Sequence, residues 1–382
     1  MNATFFPPIP FLDLKAQQKR LGNRLQDRLN AVLAHGQYIL GPEIQELETR
    51  LAKFCGAAHC VTVSSGTDAL QIALMAEGIG RGDAVFLPAF TYTATAEVPL
   101  LLGATPVFVD VDPHTFQIDL TSLQTRIETV RQAGKLRPRA IIGVDLFGQP
   151  ADWAGLKAIA AREGLFTLDD CAQSFGAAQD GERLGKAADA TATSFFPSKP
   201  LGAYGDGGAL FTESAERAGL YRSLRSHGEG ATRYEVLHTG MNGRMDTIQA
   251  AILLAKLEIF EDEIQRRTEI AGLYDAALKD LLKTPTRVSC AQSAWAVYAV
   301  LFQDEATRER AKTALSEASI GHAIYYPRAL HEQPAYKAAH DGISLPVAEA
   351  LGRRILALPI HADLSDEQVE RVSQVLLRAL RG

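Results

Sequence analysis

Between about residue 60 and residue 212, short apolar β-rich runs alternate with segments of helical character, and no other feature of the chain restricts its fold as strongly. The runs are Val61 to Ser64, Ala84 to Pro88, Pro106 to Val111, Ala140 to Asp145, Leu165 to Asp169, Ala192 to Phe196 and Ala209 to Thr212. Thr67 to Glu77 and Trp153 to Glu163 have helical character between them. A parallel strand pair needs a crossover long enough to carry a helix, so this alternation predicts an α/β fold: a mixed, mostly parallel sheet covered on both faces. Ligands of such sheets sit at the carboxyl ends of the strands. Several polar residues of interest directly follow these runs.

The flanking regions complete the layout. Asp13 is placed to cap a first helix, in which Leu21, Leu25, Leu29 and Val32 recur at helical steps until Gly36 stops it. After Asp246 a helical stretch runs to about Leu282, followed by a strand at Trp295 to Phe302, a helix at Ala306 to Ala318 and a strand at Gly321 to Tyr326. Ser365 and Gln368 form a capping-box pattern ahead of Val369, Val372, Leu376 and Leu380. With 382 residues and roughly 150 per domain, the expectation is two domains. Residues 1–250 would form a large domain with the N-terminal helix, and residues 251–382 a linking helix and a small α+β domain.

Charge and cysteine content narrow the function classes. The 39 lysines and arginines against 45 acidic residues give a net charge of −6, which supplies no basic footprint for a nucleic acid. A small anion can still be held by local arginines or helix N-termini. Cys55, Cys60, Cys171 and Cys290 form no CxxC pair and no disulfide framework, and no metal site is expected. The start, MNATFFPPIPFLDLK, lacks a basic n-region, and no run approaches a membrane span, so a cytoplasmic protein without membrane partners is expected.

Three segments carry groups suited to chemistry. Ser64-Ser65-Gly66-Thr67-Asp68 opens a helix directly after a strand, where free amides and the helix dipole make a phosphate seat; an ordinary capped turn would read the same way. Leu168-Asp169-Asp170-Cys171-Ala172-Gln173 puts carboxylates and an amide at a strand end, either to keep a heterocyclic nitrogen protonated or as a solvated capping acid. Lys199 stands between Pro197-Ser198 and Pro200 in a glycine-dense loop, where a held, partly desolvated amine becomes a nucleophile toward carbonyls; a plain surface lysine is the other reading.

Taken in order, SSGTDAL, PAFTYTATAE, LDDCAQSFGA, SFFPSKPLGAYGDGGA and GMNGRMDTIQAAIL resemble the successive signatures of the DegT/DnrJ/EryC1/StrS family, the pyridoxal-phosphate sugar aminotransferases of aspartate-aminotransferase type. The similarity runs from about Phe11 to the last helix, nearly the whole chain. It implies a fold type I large domain and a cofactor that alternates between pyridoxal 5'-phosphate and pyridoxamine 5'-phosphate. By motif position, Lys199 would join the cofactor covalently, Asp170 would pair with its ring nitrogen and Gln173 would meet its ring hydroxyl. Gly66, Thr67 and Ser194 would hold the phosphate, and Tyr92 would stack on the ring.

Asn242 resembles the family asparagine that reaches the phosphate in a neighbouring subunit, and Arg244 a position that faces the sugar carboxylate from the partner chain. The resemblance thus implies a homodimer with shared active sites. HGQYILGPE with SFFPSKPLG looks most like the enzymes that aminate UDP-2-acetamido-3-oxo-glucuronate, with L-glutamate as donor, in bacterial surface-polysaccharide (O-antigen lipopolysaccharide) synthesis. Where many members have His-Tyr-Pro, this chain has Tyr325-Tyr326-Pro327 and then Arg328. These residues, with His227, are candidate substrate contacts. The alternatives are an aminotransferase for a dTDP- or GDP-linked keto-6-deoxyhexose, and a non-catalytic regulator.

Overall fold

The computed structural model describes residues 7–232 and 234–381, so the first six residues of the segment read for a targeting signal lie outside the described residues. Among the described residues, seven strands form one sheet in the spatial order His59–Val63, Gly208–Thr212, Ala190–Ser194, Phe166–Asp170, Arg137–Val144, Asp83–Pro88, Thr105–Val109. Gly208–Thr212 runs antiparallel to both of its neighbours, and the other pairings are parallel. All seven expected runs are present with their ends moved slightly.

Side chains alternate across the strands and feed two separate apolar layers. Val85 and Leu87 pack on one face with Leu70 and Ala73 of the helix Gly66–Ala76. Ala84 and Phe86 pack on the other with Ile127 of Leu120–Ala133 and Leu156 of Trp153–Glu163. Both faces are therefore covered, which is why these strands read as continuous apolar runs.

A further core joins Tyr274 and Leu278 of the helix Phe260–Leu278 to Tyr298, Val300, Leu356 and Leu358, and to Val369, Val372 and Leu376 of the final helix Asp366–Arg381. The capping box ahead of that helix is formed: Gln368 N donates to Ser365 Oγ at 3.3 Å, and Ser365 N to Gln368 Oε1 at 2.9 Å. A division at residue 250 falls inside the helix Thr247–Leu257, whose Ala250, Leu253 and Leu254 pack with the large sheet.

Three local expectations are corrected. The first helix is two, Leu14–Leu21 and Asn23–His35, separated by Gly22 at φ 57°, ψ −137°. The stretch after Asp246 is broken at Glu258–Ile259 and its second helix ends at Leu278. Gly321 to Tyr326 is not a strand. Only Ala323 bridges to Ala357, because Ile324, Tyr325 and Tyr326 turn to line a cavity. The strand that pairs with Tyr298–Leu301 is Ile355–Leu358, which follows the helix Pro346–Arg354 without a loop and so has no turn signal before it.

Gly22 occupies a backbone conformation that side chains of L-residues rarely adopt. Gly22→Ala should lower stability by about 1–3 kcal/mol in a denaturant titration. A continuous helix would instead gain about 1 kcal/mol from the same change, so the sign of the shift decides between the two.

Candidate active site

The carboxyl ends of the parallel strands open onto a cavity of about 650 Å³. His59–Val63 leads into Ser65, Gly66 and Thr67; Asp83–Pro88 into Thr91, Tyr92 and Thr93; Phe166–Asp170 ends on Asp170; Ala190–Ser194 leads into Lys199. Ser65 caps the helix Gly66–Ala76, its Oγ accepting from Asp68 N at 3.0 Å. The first amides of that helix have no intrahelical acceptor and, with the positive end of the dipole, favour an anion. A Cβ on Gly66 would come within 2.5 Å of Ser194 Cβ, so glycine is what lets the strand end carrying Ser194 close this seat.

Asp170 is buried. Thr95 Oγ1 donates to its Oδ2 at 3.0 Å, and the Ala172 amide to its Oδ1 at 3.3 Å. Burial raises its pKa, while Lys199 and these two donors oppose the rise. Burial also lowers the pKa of Lys199, against the pull of Asp170. The amine therefore sheds its proton more readily than a surface lysine, and the carboxyl retains partners that favour its charged form. The two groups form an electrostatic pair inside one cavity.

Gln173 is held at both ends: its Oε1 accepts from Phe147 N at 2.7 Å, and its Nε2 donates to the Tyr326 hydroxyl at 2.8 Å. Tyr326 is thus committed to a protein partner, while Tyr325 and Arg328 line the cavity beside it. Tyr325 meets the edge of Phe11, with ring centroids 6.1 Å apart. Tyr92 is 54% exposed, so one face of its ring is open to a flat ligand.

Asn242, Arg244 and His227 do not line this cavity. They belong to a loop on which Ser226 bridges Asn242, and Ser64 N donates to Gly243 O at 2.8 Å. His227 is exposed and engages Met241 O through its backbone N at 2.9 Å, so its side chain is not brought to the other site residues. Asn242 is exposed, and the Nε of Arg244 is buried without a partner among the described residues.

Sequence reasoning missed Thr95, Asp206, Gln333 and Arg267. Thr95 and Asp206 stand inside motifs already quoted, whereas Arg267 sits in an Arg266-Arg267 pair on a helix and reads as a solvated face.

Known proteins bear on this arrangement. The family model described as the DegT/DnrJ/EryC1/StrS aminotransferase family matches residues 19–377. The chain is 44% identical over 369 residues to the UDP-2-acetamido-2-deoxy-3-oxo-D-glucuronate aminotransferase of Pseudomonas aeruginosa, covering 96% of this chain and 99% of that protein. It is also similar to the crystal structure of a DegT DnrJ EryC1 StrS aminotransferase from Brucella abortus, with a TM-score of 0.95, 46% identity and coverage of 98% and 100% of the two chains. NtdA from Bacillus subtilis, solved with bound cofactor PMP, superposes with a TM-score of 0.91 at 26% identity, covering 100% of this chain and 87% of that one.

Behind Asp170 lies a buried acid cluster. Asp145 accepts from Ala151 N at 2.7 Å, Trp153 Nε1 at 3.0 Å and Ser174 Oγ at 2.9 Å, with Asp169 and Cys171 adjacent. Burial pushes the Asp145 carboxyl up to about 6, and Asp169 is pushed up by burial and by its two acidic neighbours. A carboxyl raised on folding stabilises the native state below its unfolded value of about 4, and that contribution is lost as pH rises through about 6. Asp145→Asn should therefore flatten the loss of stability between about pH 4 and pH 6 in urea titrations; an unchanged slope would contradict the assignment.

Proposed function

The chain belongs to the DegT/DnrJ/EryC1/StrS aminotransferase family, and from that premise we propose that it moves an amino group from L-glutamate to a nucleotide-linked keto sugar using pyridoxal 5'-phosphate. The sugar is UDP-2-acetamido-2-deoxy-3-oxo-glucuronate, the product a building block of a bacterial surface polysaccharide such as O-antigen, and the setting the cytoplasm. The observation that carries this reading is the convergence of Lys199, Asp170 and the Gly66 helix start on one cavity. The match to the Pseudomonas enzyme along nearly its whole length supports the uronate. Among the described residues no helix is long and apolar enough to cross a membrane.

The residues present fit the cofactor: an anion seat closed by Gly66 and Ser194, a buried carboxylate, and an amine of lowered proton affinity share the cavity. Bound there, the cofactor supplies an electron sink beside the reacting carbon. Lys199 Nζ would hold the group covalently and, once freed, would take the proton from the donor's α-carbon, a task suited to an amine whose proton affinity burial lowers. Asp170 would hold a proton on the ring nitrogen, and the hydrogen bonds from Thr95 and the Ala172 amide favour its charged form against burial. Gly66, Thr67 and Ser194 would hold the phosphate, Gln173, its amide already oriented by Phe147 N, would meet the ring hydroxyl, and Tyr92 would stack on the ring.

A uronate carboxylate needs a cation. Arg328 lines the cavity, and Arg244, outside it, would be supplied by the second chain of a homodimer. Asn242 would reach across in the same way. Exposed Tyr234, Val236 and Leu237 give the loop that carries them an apolar surface for such a contact.

Lys199→Ala should reduce turnover by at least about a thousandfold; near-normal activity in the purified variant would refute the role. With glutamate as donor, the UDP-3-oxo-uronate should be aminated in preference to dTDP- or GDP-linked keto-deoxyhexoses, and the reverse preference would move the assignment to the deoxyhexose enzymes. If sites are shared, mixing Lys199→Ala with Arg244→Ala chains should restore roughly a quarter of wild-type activity through reassorted dimers. No gain on mixing would remove the cross-subunit role.

A further inference from the structure

Lys199 stands in a loop, residues 195–207, that is folded back on itself. Phe195 N donates to Gly207 O at 2.7 Å, Lys199 N to Phe196 O at 2.8 Å and Ala203 N to Phe195 O at 2.7 Å. Two carbonyls just past the lysine are gripped from outside the loop. Lys256 Nζ, on the helix Thr247–Leu257, donates to Gly202 O at 2.6 Å, and Arg267 Nη2, on Phe260–Leu278, donates to Pro200 O at 3.2 Å. Both side chains are buried, Lys256 to 2% and Arg267 to 5% exposure, and the Lys256 ammonium lies 4.0 Å from the ring centroid of Tyr204.

Buried cations are costly. Glu263 Oε2 lies 3.6 Å from Arg267 Nη2, and the same carboxylate accepts from Gln17 Nε2 at 2.9 Å and from Arg20 Nη2 at 2.6 Å. One Glu263 is therefore shared between two guanidinium groups and a neutral amide, with Asp363 helping Arg20 at 3.1 Å. Arg267 Nη1 is left without a partner among the described residues. Burial pushes the Lys256 amine down to about 7, a further sign that the site taxes charge. Apolar residues of similar size would serve stability as well or better at such a place. What the two cations provide and apolar groups would not is a fixed position for the carbonyls one and three residues after Lys199.

We propose that Lys256 and Arg267 are positioning residues: by gripping Gly202 O and Pro200 O they hold the Lys199 amine at one place in the cavity. The inference rests on the reading of Lys199 as the residue that joins the cofactor. Misplacement of a reacting group by about an ångström costs on the order of a hundredfold in rate, so a loosened loop has a measurable effect, and at Lys256, which does not line the cavity, it comes without loss of a cavity-lining group. The grip also ties the N-terminal helix to the site, since Gln17 and Arg20 hold the carboxylate that faces Arg267.

The test uses full-length holoenzyme carrying Lys256→Met, which keeps the side-chain length and removes the donor, and separately Arg267→Lys. For each, kcat, the KM for glutamate, the pH midpoint of the visible absorption change of the loaded enzyme, and thermal stability are measured. The expected result for Lys256→Met is a fall in kcat of roughly tenfold to a hundredfold, a KM within about twofold of wild type, a moved pH midpoint and no loss of thermal stability. Arg267→Lys should shift the same midpoint and lower kcat by a smaller factor. Unchanged kcat and midpoint in a variant of lowered thermal stability would overturn the proposal, because that is what a purely structural role produces. Should Lys256→Met not fold, the same two readouts on Arg267→Lys decide it. Wild-type protein that neither loads pyridoxal 5'-phosphate nor turns over would instead defeat the functional reading itself.

Discussion

The Asp170 carboxyl and the Lys199 amine share one cavity and each offsets what desolvation costs the other's charge; this pairing is the interaction around which the site is arranged. Neither would be stable there alone: burial drives Asp170 toward its neutral acid and Lys199 toward its neutral amine. Together each favours the other's charged form and so opposes the effect of burial. That condition suits a carboxylate that must hold a proton on a heterocycle and an amine that must attack a carbonyl. The Thr95 hydroxyl and the Ala172 amide add to the groups that favour charge at Asp170.

The sheet makes this pairing possible. Parallel strands deliver Asp170, Ser194 and the Gly66 helix start to one edge, and the single antiparallel strand Gly208–Thr212 returns the Lys199 loop to the sheet between His59–Val63 and Ala190–Ser194. A short loop anchored at both ends by neighbouring strands has little freedom to drift. The close approach of Ser194 to Gly66 belongs to the same packing. The helices that bury the back of the loop also bring it two cations, so the loop is bounded by the sheet on one side and by charge on the other.

Much of this was legible in the letters because it is local. Continuous apolar runs such as Ala84 to Pro88 report burial on both faces, and the residues just past the runs that lie parallel in the sheet face the ligand edge. Ser365 and Gln368 announced the last helix through side chains three residues apart. What could not be read depends on distant partners. Gly22 looks like a tolerable helix interior until its φ is known, and the run Ile355–Leu358 hides behind a helix with no turn between them. Tyr325 and Tyr326 have the β-propensity of a strand, but Gln173, more than a hundred residues away in sequence, draws Tyr326 into the cavity wall. Arg267 was invisible for the same reason, since its acceptor, Pro200 O, belongs to another part of the chain.

The proposed chemistry depends on one covalent link, between the Lys199 amine and the cofactor. Reduction of the pyridoxal-phosphate-loaded enzyme with borohydride, followed by peptide mapping, should place the cofactor adduct on Lys199. An adduct on any other lysine, or none in protein that binds the cofactor, would contradict it.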